Sequence, residues 1–179
     1  MELGLGATRV HSDPIDNCTL IDYDSDFSAG KDNFADASGA NITLTVTGNN
    51  DSIGGLNDAL KVVINVPDPT AIFVSHNPIR GTNSEIQAAS PGCTYAVRFR
   101  VFFPTGNTTN GLKECRINGG ELVDMGVAGK SLNTWHTTSI FNVVAGNTPG
   151  DGLEIGLQSI AEVVNSDEVY IRDIQIDRI

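Results

Sequence analysis

The chain has 179 residues, of which 40% are hydrophobic and 18% charged, and it carries a formal net charge of −11 at pH 7. That length suits one domain with a sizeable core, and 19 glycines favour a β-protein with many turns. The negative charge argues against nucleic-acid binding, because it repels phosphate backbones, and no apolar stretch is long enough to span a membrane.

The first fifteen residues form a segment of their own, with glycines near its start. Leu3, Leu5 and Val10 are apolar, and apolar residues in such a segment need a surface against which they are buried. The sequence therefore predicts an extended, partner-binding arm over residues 1–15. A single domain is predicted over residues 16–179.

From residue 17 onward, short strand signals with alternating apolar residues follow one another. In chain order they are CTLIDYD, NITLTVTGNN, DALKVVINVPDP, TAIFVSH, CTYAVRFRVFFP, GLKECRI, ELVDMGV, TWHTTSIFNVV, DGLEIGLQS and EVYIRDIQIDRI. Only NSEIQAAS suits a single helical turn. In the longest signal the alternation places Phe99 in the core. One-sided strands separated by turns predict an all-β protein, an antiparallel β-sandwich or barrel.

The last strand signal changes phase. Val169 and Ile171 share one parity along the strand, whereas Ile174 and Ile176 share the other. One sheet face holds all four residues only if the backbone inserts an extra residue. We therefore predict a β-bulge near Arg172–Asp173. If this strand is a neighbour of the first strand of the domain, pairing anchors both ends of the domain.

The cysteines indicate the redox compartment. Cys18, Cys93 and Cys115 show no CxxC spacing, and their odd number allows at most one bridge. Glu2 stands where a signal peptide carries positive charge, and no apolar h-region follows it. We therefore expect free, buried thiols in a protein that is folded in a reducing cytoplasm and not exported by the general route.

Catalytic motifs are missing from the sequence. His11, His76 and His136 lie in unrelated contexts without HExxH spacing, and Ser131 and Ser139 lack a nucleophile-elbow frame. With 22 carboxylates, accidental acidic pairs are expected, so they do not indicate a glycosidase. We predict a protein that is not an enzyme.

Three stretches resemble jelly-roll carbohydrate-binding modules. LIDYDSDFSAGKDNF is similar to their opening strand, SPGCTYAVRFRVFFP to their central strand, and NTWHTTSIFNVVAG with DEVYIRDIQIDRI to their closing strands. The resemblance implies a jelly-roll β-sandwich. The same pattern, with the leaderless start and the arm ELGLGATRV, also resembles small virion proteins of tailed bacteriophages.

The two resemblances imply different functions. The first prediction is a virion structural protein of the capsid or tail, made in the host bacterial cytoplasm, with other virion proteins and further copies of itself as partners. The alternative is a free-standing or enzyme-linked carbohydrate-binding module. A third class is a cytoplasmic hydrolase of jelly-roll form. Binding to a sugar panel would favour the module, and a requirement for other virion proteins would favour the first prediction.

The resemblance to carbohydrate-binding modules also implies a glycan site. Such modules stack sugar rings on exposed aromatic side chains flanked by polar groups. Trp135 begins a strand beside Asn133 and His136, so these three residues are the predicted glycan-binding rim. The alternative for Trp135 is half-buried packing.

A structural calcium ion between the first and last strands is the one cofactor that the resemblance implies. Asp26 and Asp173 stand at the matching positions, whereas Ser28 and Arg172 replace the family's other acidic residues. Calcium takes six to eight oxygen ligands. Two carboxylates therefore leave most of its coordination to other groups.

Overall fold

The computed structural model describes residues 17–36, 42–47, 58–65, 79–107, 111–127, 129–157 and 166–179. These residues form β1 (Asp22–Ser25), β2 (Phe34–Asp36), β3 (Ile42–Val46), β4 (Leu60–Ile64), β5 (Ile79–Gly81), α1 (Ser84–Gln87), β6 (Thr94–Phe102), β7 (Leu112–Ile117), β8 (Val123–Val127), β9 (Trp135–Thr137), β10 (Phe141–Val144), β11 (Leu153–Leu157) and β12 (Glu168–Arg178). The predicted arm, with Leu3, Leu5 and Val10, lies outside the described residues, as does the strand signal TAIFVSH. No helix in these ranges is long and apolar enough to cross a membrane.

The strands form two antiparallel sheets. A seven-stranded sheet has the order β10-β6-β12-β4-β3, with β1 also paired to β12 and β9 to β6. A five-stranded sheet has the order β2-β5-β11-β7-β8. Apolar residues of both sheets form one large core. The predicted all-β sandwich is confirmed.

The central strand β6 carries the alternation that the sequence predicts. Tyr95, Val97, Phe99 and Val101 are each at most 1% exposed. The Phe99 ring meets the Phe141 ring edge to face, with 5.9 Å between the ring centres. The parity predicted for this strand is confirmed.

The predicted bulge in β12 is also confirmed. The register of β12 against β6 shifts between Arg172 and Gln175, and Asp173 within this interval has a positive φ of 50°. Ile171 and Ile174 are consequently both buried in the core. The same strand pairs with β1 beyond the bulge.

The predicted strand TWHTTSIFNVV is divided into two. Both β9 and β10 pair with β6, but the three residues 138–140 between them face only two residues of β6. Thr138 satisfies the backbone groups of Phe99 at this break. Its N–H donates to the Phe99 carbonyl (2.9 Å), and its Oγ1 accepts from the Phe99 N–H (3.1 Å). The sequence pattern predicts neither this break nor the three-residue strands β2 and β5.

The expectation of free thiols is wrong for two of the three cysteines. Cys18 and Cys93 form a disulfide, whereas Cys115 is free and buried. Burial raises the pKa of the Cys115 thiol. The bridge has no spacing signature, because it joins residues that only the fold brings together, at a sequence separation of 75.

Candidate functional site

The three residues of the predicted glycan rim do not form one platform. Trp135 lies opposite Phe102, and His136 lies opposite the core residue Val101. Because consecutive side chains of a strand alternate faces, Trp135 and His136 project to opposite sides of β9. Asn133 is exposed in the preceding turn, where its N–H donates to the Phe103 carbonyl (2.6 Å).

Trp135 ends an aromatic row on the outer face of the seven-stranded sheet. The Phe102 ring centre lies 5.4 Å from that of Trp135 and 6.0 Å from that of Tyr170, and Phe102 and Tyr170 are buried. The Arg100 guanidinium lies 5.7 Å from the Trp135 ring centre. Burial and the hydrogen bond to Glu168 raise the Tyr170 pKa to about 12. The half-buried Trp135 therefore contributes to packing in this row.

Asp26 and Asp173 do not offer calcium a suitable set of donors. One oxygen of Asp173 lies 3.0 Å from Arg172 Nε, and the other lies 3.6 Å from Arg100 Nη1. Asp26 is exposed, and hydrogen bonds from Ser28 lower its pKa. Among the described residues, no group of three or more His, Cys, Asp and Glu could hold a metal ion. Calcium binding stays a prediction, and the two guanidinium groups argue against it.

A second arrangement of polar residues lies on the outer face of the five-stranded sheet. Arg80 of β5 and Arg116 of β7 both lie directly opposite Glu154 of β11, one on each side. Leu153 and Ile155 point into the core, so Glu154 points outward by alternation. Glu154 is nevertheless only 1% exposed. Sequence reasoning gave no indication of this arrangement.

Glu154 binds both guanidinium groups. Its Oε1 accepts from Arg80 Nη2 (2.7 Å), and its Oε2 accepts from Arg116 Nε. This bond raises the pKa of Arg116. Arg80 Nη1 also lies 3.5 Å from a carboxylate oxygen of Asp151. We call Arg80, Glu154, Arg116 and Asp151 the charged row.

Stability alone does not explain the charged row. Buried ion pairs lose much of their attraction to desolvation, and well-packed apolar residues can often replace them without loss. Arg80 Nε is buried and has no hydrogen-bond partner among the described residues, which adds a cost. At the same time, the side chains of Arg80 and Arg116 are 36% and 25% exposed. The row therefore presents rigidly held donors at the surface.

Comparison with known proteins identifies the fold. No protein-family model matches the sequence, and no curated protein sequence matches it. A structure of CBM22-1 and GH10 modules of an endo-1,4-β-D-xylanase from Clostridium thermocellum, in complex with xylohexaose, matches with a TM-score of 0.58 and 14% identity. The match covers 89% of this chain and 29% of that chain, so this chain spans less than a third of that protein.

Two further structures are single modules. The CBM22-1 xylan-binding domain from Paenibacillus barcinonensis matches with a TM-score of 0.57 and 12% identity, over 90% of this chain and 95% of that domain. The C-terminal family 22 carbohydrate-binding module of the Clostridium thermocellum xylanase matches with a TM-score of 0.51 and 10% identity, over 87% and 92%. At such identities the likeness concerns the fold alone. The chain thus has the jelly-roll fold of carbohydrate-binding modules.

Proposed function

We propose that the protein is a carbohydrate-binding domain without catalytic activity, and that it binds a neutral oligosaccharide chain on the outer face of the five-stranded sheet. The observation that carries the proposal is the charged row. Its carboxylate is nearly inaccessible, yet its two arginines reach solvent. The sequence-based alternative, a carbohydrate-binding module, thereby becomes the main functional hypothesis.

The chemistry of the row suits a hydroxyl-rich, uncharged ligand. Two guanidinium groups and two carboxylates cancel in formal charge, so the row as a whole carries no net charge. Each guanidinium has five N–H donors in a planar fork, and the bonds to Glu154 hold both forks in place. A preorganised donor array loses less entropy on binding than mobile side chains do. The oxygen atoms of sugar hydroxyl groups can accept hydrogen bonds from these N–H groups.

The dimensions of the row suit a chain of sugars. Adjacent strands lie about 4.8 Å apart, so the row extends roughly 10 Å across β5, β11 and β7. That distance is comparable with two consecutive sugar rings. The xylan-binding domain and the xylohexaose complex among the structural neighbours make xylo-oligosaccharides the first ligands to test.

The experiment is calorimetric titration with xylohexaose and a panel of other neutral hexasaccharides. Arg116→Met removes one guanidinium fork, and we expect it to weaken binding about 10- to 100-fold, the usual effect of losing hydrogen bonds to a charged group. Arg98→Met is the matched control, because Arg98 is exposed on the opposite sheet. Unfolding curves check that both variants are folded. Unchanged binding by Arg116→Met, or no binding to any hexasaccharide, would refute the proposal.

The disulfide supports a further part of the proposal, namely that the domain works in an oxidising environment. Bridges such as Cys18–Cys93 persist outside reducing compartments. The predicted virion role, homo-oligomer and virion localisation stay predictions, and none of the neighbours described above is a virion protein. Their test is whether deletion of residues 1–15 abolishes incorporation into a particle.

A further inference from the structure

A cleft opens between the two sheets at one side of the sandwich. Strand β8, at the edge of the five-stranded sheet, forms one wall, and β9, β10 and their connection form the other. The cleft has a volume of about 320 Å³. We call it the edge cleft. Val101, Met125 and Phe141 lie at its base but are buried, whereas the Ile140 side chain at the cleft is 61% exposed.

Polar side chains complete the lining. Asp124 and Lys130 have opposite charges, and His136 and Ser139 add an imidazole and a hydroxyl group. Ligand pockets in proteins combine an apolar surface with a few polar groups, and their volumes begin near 300 Å³. The edge cleft reaches this range of volumes at its lower limit, and its accessible lining is mainly polar. It therefore suits one small ligand with an apolar face and several hydroxyl groups.

The wall formed by β9 and β10 is fixed before any ligand arrives. Both hydrogen bonds between Thr138 and the Phe99 backbone hold the connection against β6. His136 Nε2 lies 2.8 Å from the Ser131 carbonyl oxygen. Because a carbonyl can only accept, Nε2 is the donor in this hydrogen bond. The connection and the His136 ring are thus held in place at the cleft.

We propose that the edge cleft is a second carbohydrate site, which binds a single sugar ring independently of the charged row. The C–H face of a pyranose would lie on the exposed Ile140 side chain, and its hydroxyl groups would meet Asp124, Lys130, His136 and Ser139. A neutral sugar fits because the two charged side chains compensate each other. The inference rests on the proposed function only for the class of ligand. The residues of the two sites are different.

The test follows the ring C–H resonances of His136 by NMR during titration with methyl glycosides of xylose, galactose, mannose and N-acetylglucosamine. The His136→Gln variant identifies these resonances. We expect a saturable shift with at least one glycoside. Ser139→Phe places a ring in the cleft and should weaken the binding at least tenfold. Asn142→Phe is the matched control, because Asn142 is exposed on β10 and does not line the cleft.

Two outcomes would overturn the inference: no saturable shift with any of the four glycosides, or binding by Ser139→Phe as in the unmodified protein. Arg116→Met separates the two sites. We expect this variant to show weakened hexasaccharide binding and an unchanged His136 response, and weakening of both would show that the cleft is not a separate site. A His136 response in a protein that binds no hexasaccharide would refute the charged row and support the cleft.

Discussion

Removal of the Cys18–Cys93 bridge tests how much this disulfide contributes to the free energy of unfolding. The bridge closes a loop with a sequence separation of 75. By the chain-entropy relation, cross-linking a loop of that length stabilises the folded state by about 4.5 kcal/mol relative to the open chain. Domains have total stabilities of roughly 5–15 kcal/mol. Cys93→Ser should therefore remove a large part of the free energy of unfolding.

Hydrogen bonds at the same corner retain part of the structure when the bridge is absent. The Thr19 N–H donates to Ser90 Oγ (2.9 Å), and the Tyr95 hydroxyl donates to the Thr19 carbonyl (3.2 Å). These contacts do not constrain the unfolded chain, so they do not replace the entropic effect of the bridge. We expect Cys93→Ser to fold, with reduced stability.

Urea unfolding of the unmodified protein, with and without reductant, and of Cys93→Ser measures the effect. The reduced protein and the variant should show the same loss, because both lack the bridge. Cys115→Ala is the control, because Cys115 is not part of the bridge. Reductant should lower the free energy of unfolding of this variant as much as it lowers that of the unmodified protein. A loss below about 1 kcal/mol in both cases, far from the chain-entropy value, would show that the bridge does not form or that the unfolded chain is already compact.

Three further predictions concern the core, the metal and the tryptophan. Phe99→Ala should cost about 3–5 kcal/mol in urea unfolding, because it leaves a cavity beneath β6, and a nearly neutral result would contradict the burial of this residue. Chelator should leave the melting temperature unchanged, because Asp173 already binds two guanidinium groups, and a clear decrease would restore the calcium hypothesis. Trp135 fluorescence should not respond to xylohexaose, since Trp135 lies on the sheet opposite the charged row. Quenching would support the sequence-based prediction that Trp135 binds the glycan.

The sequence predicts those strands in which apolar and polar residues alternate for long enough to show which face is buried. Strand β6 shows one-sided burial up to Val101, and the phase change in β12 locates its bulge. Strands β2 and β5 have three residues each, which is too short for an alternation signal. Gly81 in β5 also lacks β-propensity. Packing explains the glycine at this position, because a Cβ atom on residue 81 would come within 2.5 Å of the Phe34 ring.

The candidate site could not be predicted, because it depends on which strands are neighbours. Arg80, Arg116 and Glu154 lie far apart in the sequence. Arg116 and Glu154 are each only a charged residue within a strand signal, and Arg80 lies outside every strand signal. Their meeting requires the order β5-β11-β7 and a register that places both arginines opposite the same carboxylate. The rim predicted from Trp135 and His136 fails as a single platform for a related reason, since neighbours in sequence project to opposite faces of a strand.

Among the described residues, Asp173 and Glu154 each bind two arginines, and the proposed function involves only the row around Glu154. The register of β12 places Arg172 directly opposite Arg100, and like charges in that position repel. Asp173, at the bulge, binds both and compensates the repulsion, so its role is structural. Arg80 and Arg116 are not neighbours, because β11 separates them. Glu154 therefore relieves no repulsion between adjacent strands, and apolar residues at all three positions would cost the fold little. This difference between the two carboxylates supports the proposed role of the charged row in ligand binding.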